Sequence, residues 1–230
     1  MKSTYLVAGR TNWSRRAFED VIRWYPGRWR FISSPEQLTE SLLGELEPRY
    51  VFFLHWSWQV PAVIAKNHEC VCFHMTDVPY GRGGSPLQNL ILRGRRSTKL
   101  TALRMTESWD AGPVYDKQDL CLEGRAEEIY IRAANLCAHM IRRIVEEEPR
   151  PVEQTGEAVV FKRRRPEQSE IPETESLQGL YDFLRMLDAE GYPRAFLAYK
   201  GFRYEFGRVC LSDGRILADV TITPAGGPKQ

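Results

Sequence analysis

Short apolar runs alternate with amphipathic stretches through the first half of the chain, and this pattern predicts a mostly parallel sheet covered by helices. The predicted strands are residues 5–8, 29–32, 50–55, 70–76, 100–106 and 113–120, and the predicted helices are residues 13–24 with Asn12 as cap, a helix opening at Ser34, and residues 61–66, 85–93 and 126–147. The unbroken apolar run at residues 50–55 is typical of a strand buried on both faces. The predicted class is α/β: a twisted, Rossmann-like sheet with helices on both faces.

The pattern changes after residue 150. Residues 151–175 are rich in proline and charge and are predicted to be an extended connector. Residues 176–230 carry a helical pattern near 176–189 and two or three short apolar runs between 194 and 222, so a small α+β appendage is expected. The predicted division is therefore a main domain at 1–150, the connector, and this appendage.

Composition narrows the class of protein. The formal net charge of +2 over 230 residues does not suggest a dedicated nucleic-acid surface, which needs strong basic clustering. No apolar run approaches the 18 residues that cross a bilayer, and no secretory signal is recognisable. Five cysteines without disulfide spacing favour a reducing compartment. We predict a cytoplasmic protein without membrane association.

His74 is the first candidate for chemistry. It ends a predicted central strand and precedes a glycine-rich loop, and reactive groups of open α/β sheets gather at the carboxyl ends of strands. A histidine there can act as base or acid near neutral pH. A histidine whose ring is merely satisfied by a backbone carbonyl fits the same position.

A row of potential metal ligands precedes it: His68, Cys70, Cys72 and His74 share one face of the strand. The outer two are about 20 Å apart at the rise of a strand. Zinc bonds are only about 2 Å long, so one ion cannot bind all four. We predict no metal, and the cysteines are better explained as small buried apolar residues.

The other candidate functional residues are weaker when each is considered alone. Asp110, before Ala-Gly-Pro, is either a turn former or functional. The basic groups at 93–96 and 162–165 are solvated faces by default, and one of them could instead meet a substrate phosphate or carboxylate. The run His55-Trp56-Ser57-Trp58 ends a neighbouring strand and would flank the same cleft as His74.

Two segments together resemble the formyltransferase family that uses 10-formyltetrahydrofolate. Residues 74–88, HMTDVPYGRGGSPLQ, are similar to the family's histidine, proline, arginine-glycine and downstream proline pattern. Residues 105–114, MTESWDAGPV, resemble its Asp-x-Gly loop, and the 36 residues from His74 to Asp110 fit the family's usual distance. A weaker likeness extends from residue 1 to about 165, so residues 1–150 are expected to be the catalytic domain.

The resemblance implies site residues. His74 would take a proton from an attacking amine, and Asp110 would orient the imidazole and favour its charged form. The family places an asparagine, an oxyanion donor, where this chain has Cys72, and a thiol donates weakly. Either another donor serves, with His55, Thr76, Gln88 and Asn89 as the candidates, or the transfer is slow, or the protein is no longer a catalyst. The resemblance also implies folate contacts from His55, Trp56, Trp58, Val60, Arg82, Gly83 and Trp109, and acceptor contacts from Thr76, Tyr80 and Gln88.

The acceptor implied is a small amine. Relatives that formylate initiator tRNA carry a long C-terminal barrel, for which the residues after the connector are expected to be too few. In outline the chain is most similar to sugar N-formyltransferases, which implies a nucleotide-linked amino sugar for surface glycans, no nucleic-acid partner and a homodimer. The alternatives are a non-catalytic folate or nucleotide-sugar binding protein on the same scaffold, and a formyl-folate hydrolase.

Overall fold

The structure, a computed structural model, describes residues 3–225. The elements, in chain order, are β1 Thr4–Gly9, α1 Asn12–Asp20, β2 Arg28–Ile32, α2 Glu40–Leu46, β3 Tyr50–Leu54, α3 Ala62–Asn67, β4 Cys70–His74, β5 Tyr80–Gly83, α4 Pro86–Leu92, β6 Ser97–Arg104, β7 Val114–Cys121, α5 Ala126–Glu147, β8 Val159–Phe161, α6 Leu177–Arg185, β9 Phe196–Tyr199, β10 Phe202–Ser212 and β11 Arg215–Pro224. Short 3₁₀ turns lie at Ile22–Trp24, Pro35–Gln37 and Pro166–Ser169.

The chain divides into two compact units. Unit 1 comprises the described residues up to 83 together with 98–120 and 131–160, and unit 2 comprises 84–97, 121–130 and the described residues from 161 onward. The predicted division at residues 150 and 175 stays a prediction. Within the described part of the chain, no helix combines the length and apolar character that crossing a bilayer requires.

Unit 1 is built on a six-stranded sheet in the order β2-β1-β3-β4-β6-β7. The strands β2, β1, β3 and β4 run parallel, and β6 joins antiparallel to β4. The predicted α/β class is therefore confirmed. β4 lies inside the sheet, with Cys72 opposite Phe53 of β3 and Leu103 of β6, and His74 opposite Thr101. The carboxyl end of this strand carries His74 into position.

Both faces of the sheet are apolar, which explains the unbroken hydrophobic runs of β1 and β3. On one face the core combines Leu6, Ala8, Val51, Phe53 and Cys70 with residues of α2 and α3. On the other face aromatic rings pack along the strands, with Tyr5 stacked on Trp29 at 4.5 Å. The phenol of Tyr25 donates to the carbonyl of Ala138 in α5 on this unit.

Helix ends differ from the predictions in detail. Thr11, not Asn12, caps α1: its side chain accepts from the N–H of Ser14, whose hydroxyl accepts in turn from the N–H of Thr11. The cap must have an extended backbone, and Thr11 is the residue that has it. This helix ends at Asp20 rather than Trp24. Ser34 opens only a 3₁₀ turn, and α2 begins at Glu40.

Part of the predicted connector belongs to unit 1. Val152 exchanges both backbone hydrogen bonds with Val114 at the start of β7, at 2.7 and 2.9 Å. Residues 150–154 therefore run along the sheet edge as an ordered segment. Since a single bridge has no hydrophobic periodicity, the sequence pattern could not reveal it.

Unit 2 contains α4, α6 and an antiparallel sheet in the order β11-β10-β9. The appendage is confirmed, although β10 and β11 have 11 and 10 residues and are longer than expected. A polar network lies in its interior. Arg185, only 1% exposed, donates to the carbonyls of Leu122 and Gly124 at 2.6 and 2.8 Å and to the carboxylate of Asp182 at 2.6 Å.

Replacing Arg185 with Met should lower the free energy of unfolding by about 3 kcal/mol, because two carbonyls and a carboxylate lose their donor in a buried place. Chemical denaturation measures the change. Arg208→Met removes an arginine paired with Asp219 on the surface of the same unit and serves as the control, with a change within about 0.5 kcal/mol. Equal losses in the two variants would contradict the structural role of Arg185.

Candidate active site

His74 stands at the end of β4 with most of its side chain covered. The residue is 8% exposed. Its Nε2 lies 2.8 Å from the carbonyl oxygen of Gly81, and its Nδ1 lies 3.6 Å from Oδ1 of Asp110. The strand end, the glycine loop and the Asp110 loop therefore meet at one imidazole.

The Gly81 carbonyl decides which ring nitrogen is available. A carbonyl oxygen only accepts, so Nε2 carries the hydrogen and the lone pair of the neutral ring lies on Nδ1. Nδ1 is the atom that faces Asp110. The distance of 3.6 Å is too long for a direct hydrogen bond but suits an ion pair once the ring is protonated.

The orientation of the ring thus differs in one respect from the expectation. Gly81, rather than Asp110, makes the hydrogen bond that orients His74. The same carbonyl accepts from the hydroxyl of Thr76 at 3.2 Å, and Thr101 donates to the carbonyl of Thr76 at 2.7 Å. A short hydrogen-bonded chain therefore links β6 to the imidazole.

Asp110 occupies a left-handed backbone conformation, with φ of 52°. Its Oδ2 accepts a hydrogen bond of 3.0 Å from the N–H of Gly83. Gly112 follows closely: a Cβ there would lie 2.0 Å from the carbonyl oxygen of Arg104, so only glycine fits. The loop is consequently held against the end of β6 with its carboxylate directed at the glycine loop and His74.

Cys72 shares the strand face of His74 and, like Trp56 and Met105, packs partly buried against the core of this face. Burial raises the pKa of Cys72, and the nearby carboxylate of Asp110 and then Cys70 raise it further. The thiol is therefore neutral at pH 7. All five cysteines of the chain are free.

Gln154 is a residue of the site that sequence reasoning missed. Its Oε1 accepts from Nε and Nη2 of Arg82 at 3.0 and 2.8 Å, and its Nε2 donates to the carbonyls of Asp110 and Gly112 at 2.9 and 2.7 Å. Gln154 lies in the proline- and charge-rich segment that the composition predicts to be a connector. Neither periodicity nor any motif marks this glutamine, so no signal could have found it.

Aromatic side chains lie at the end of β3, in the segment expected to meet folate. The ring centroids of Trp56 and Trp58 are 4.9 Å apart, and Arg10 lies over the Trp58 ring at 5.4 Å. Val60 is buried, and the residue His55 has a positive φ of 49°. Trp109, in the Asp110 loop, is 63% exposed.

The indole N–H of Trp56 is buried without an acceptor among the residues that the structure describes. A buried donor with no partner is costly and is well served by a polar ligand atom. The pterin ring of a folate carries such acceptors on a flat surface that can stack on aromatic rings. The residues present at the end of β3 therefore fit a folate.

Two other predicted residues, Gln88 and Asn89, already donate hydrogen bonds to protein acceptors. Gln88 belongs to unit 2 and is 3% exposed, where its amide donates to Tyr130 and to the carbonyl of Met186 at 3.0 Å each. Asn89 donates to the carbonyls of Gly84, Ser85 and Lys162 of that unit. Tyr80 begins β5 in unit 1 and is partly buried.

The row of His68, Cys70, Cys72 and His74 does not converge. His68 caps α3 before the strand begins, whereas His74 ends it. Within residues 3–225 no group of three or more histidine, cysteine or acidic side chains could hold a metal ion.

Comparison with known proteins gives three kinds of likeness. The family described as methionyl-tRNA formyltransferase, C-terminal domain, matches residues 166–223. Methionyl-tRNA formyltransferase of Rickettsia massiliae is 29% identical over 127 residues, which cover 53% of this chain and 42% of that protein. The chain thus spans less than half the length of the curated relatives it matches.

Solved structures extend the likeness over the full length. Methionyl-tRNA formyltransferase from Clostridium thermocellum is 42% identical, with a TM-score of 0.91, covering 97% of this chain and 100% of that one. A 4-N formyltransferase from Francisella tularensis is 14% identical with a TM-score of 0.67 over 94% and 96% of the two chains, and this likeness is one of fold. The agreement with the Clostridium structure over its whole length shows that this chain belongs to the formyltransferase family.

Proposed function

We propose that this chain transfers a formyl group from 10-formyltetrahydrofolate to the amine of a small acceptor. The observation that carries the proposal is the imidazole of His74, with Nε2 committed to Gly81 and Nδ1 facing the carboxylate of Asp110. In this arrangement the neutral ring can act as a base through Nδ1, and a nearby carboxylate can stabilise its protonated form. Formyl transfer to an amine requires such a base.

Nδ1 of His74 accepts a proton from the amine as its nitrogen bonds to the formyl carbon. Asp110 stabilises the imidazolium from 3.6 Å, in a place where both side chains are largely shielded from water. The bond from the formyl carbon to N10 of the folate then breaks, and the proton is delivered to N10. The products are an N-formyl amine and tetrahydrofolate.

The donor to the developing oxyanion is the unusual part of the site. Thr76, Gln88 and Asn89 already donate to protein acceptors, so the candidate donor on the strand face of His74 is the neutral thiol of Cys72. A thiol is a weak donor, so we expect a slow transfer unless another group serves.

For the acceptor we favour an amino sugar linked to a nucleotide. The three-stranded sheet of unit 2 carries few cations, and two of these, Arg203 and Arg208, are paired with Glu205 and Asp219. It therefore lacks the unpaired basic stripe with which proteins neutralise a nucleic-acid backbone. A cytoplasmic homodimer is proposed with this function.

A methionyl-tRNA acceptor is the second candidate. It is favoured by the 42% identity with the Clostridium thermocellum protein and by the match of residues 166–223, both of which bear that name.

Replacing His74 with Ala, or Asp110 with Asn, should reduce the rate of tetrahydrofolate release by about 10²–10⁴-fold, since each change removes a part of the proton transfer. Release from 10-formyltetrahydrofolate is followed in the presence of an acceptor panel. His139→Ala and Asp119→Asn, on the surface of unit 1, are the matched controls and should keep the parent rate. Unchanged release in the His74 variant would rule out its role as base.

The acceptor panel contains nucleotide-linked amino sugars and initiator methionyl-tRNA. We expect formylation of a sugar and none of the tRNA, measured by mass spectrometry of the products. Formylated methionyl-tRNA would replace our acceptor by the second candidate. Formate without any formylated product would indicate a hydrolase, and folate binding without turnover would indicate a binding protein.

Replacing Cys72 with Asn should raise the rate of formyl transfer, because a primary amide is a far better hydrogen-bond donor than a neutral thiol. In other enzymes one well-placed oxyanion donor increases the rate by about 10²–10³-fold, and for Cys72→Asn we expect a gain in rate of at least about tenfold. Cys72→Ala, which removes the thiol without adding a donor, is the comparison. A rate that stays equal in all three proteins would show that the oxyanion is stabilised by another group.

A further inference from the structure

We propose that Gln154 is a positioning residue of this site, holding the Asp110 loop on one side and the guanidinium of Arg82 on the other. The inference rests on the proposed function, because it assigns Gln154 a part in the same reaction. All the residues through which Gln154 acts lie in unit 1.

Gln154 uses both ends of its amide fully. The oxygen accepts twice from one arginine, and the nitrogen donates to two carbonyls of one loop. Because an amide has one acceptor end and one donor end, only glutamine or asparagine can make this set of bonds. The bridge between Val152 and Val114 fixes the backbone two residues earlier.

The donor end stabilises a backbone that needs support. Asp110 has a positive φ, which a non-glycine residue rarely adopts without compensation from its surroundings. Two carbonyls tied to one nitrogen restrict the Asp110–Ala111 and Gly112–Pro113 peptides. The direction of the Asp110 carboxylate toward Gly83 and His74 depends on those peptides.

The acceptor end orients Arg82 without neutralising it. The guanidinium donates two hydrogen bonds to a neutral amide oxygen. Within residues 3–225, Arg82 forms no ion pair with a carboxylate. A carboxylate in the place of Gln154 would orient the arginine equally well but cancel its charge. The amide therefore leaves a fixed positive charge in the glycine loop, beside Gly83 and Asp110, for an anionic group of a substrate.

Gln154→Met tests the hydrogen bonds of both ends of the amide together, since methionine has nearly the same length and lacks both polar ends. We expect kcat to fall by about 100-fold, the loss that a displacement of about 1 Å produces in a reacting group. Gln118→Met is the matched control: Gln118 is likewise half-buried in unit 1, and within residues 3–225 its side-chain amide forms hydrogen bonds with Asp116 alone. A kcat within about twofold of the parent in Gln154→Met would overturn the proposal.

Gln154→Glu separates the two ends. The carboxylate keeps the bonds to Arg82 but loses both donors and faces two carbonyl oxygens, so kcat should fall as in Gln154→Met. It also cancels the charge of Arg82, so KM for the anionic substrate should rise, which a merely structural role would not produce. A Gln154→Glu enzyme with parent kcat and KM would contradict the proposal.

A double variant shows whether Gln154 acts through Asp110. In the Asp110→Asn background, adding Gln154→Met should reduce kcat by less than about threefold, because the group that it positions is already disabled. Two losses that multiply would overturn this route of action.

One measurement does not depend on turnover. The N–H of Gly83 donates to Asp110, so its hydrogen exchange, followed by NMR, should be slow in the parent and in Gln118→Met and fast in Gln154→Met. Slow exchange in Gln154→Met would overturn the proposal even if no acceptor is ever formylated. Fast exchange in Gln154→Met together with an inactive parent enzyme would support the positioning role of Gln154 and reject the proposed function.

Discussion

The hydrogen bond between Nε2 of His74 and the carbonyl of Gly81 is the interaction on which the site depends. It fixes the tautomer of the ring, and it thereby places the available lone pair on Nδ1, opposite Asp110. A glycine loop makes this feasible, because Gly81 itself has a positive φ of 80° and turns its carbonyl toward the strand end. Without that bond the imidazole could present either nitrogen to a substrate, and the carboxylate would have no defined partner.

The electrostatics of the site follow from the position of one carboxylate. Asp110 faces His74, accepts from the N–H of Gly83 and raises the pKa of Cys72, which burial has already raised. The same charge therefore lies beside the imidazole and helps to keep the thiol neutral. A neutral thiol is a weak hydrogen-bond donor, whereas the family resemblance places an asparagine amide at that position.

Much of this arrangement could be predicted from sequence. The order of strands and helices follows hydrophobic periodicity, and the meeting of His74 with Asp110 follows from two motifs at a familiar separation. Gln88 and Gln154 show the limit. Gln88 lies in a motif, and the structure places it in the interior of unit 2. Gln154 lies in a stretch without pattern and touches both sides of the site.

Local periodicity and residue types at fixed spacing along the chain were enough to predict the sheet, the family and the pairing of His74 with Asp110. The folded chain was needed to show which nitrogen of His74 is free, which residue caps α1, and that Gln154 joins Arg82 to the Asp110 loop. Such bonds form between groups far apart in sequence, and their partners are chosen by distance and direction in the folded chain.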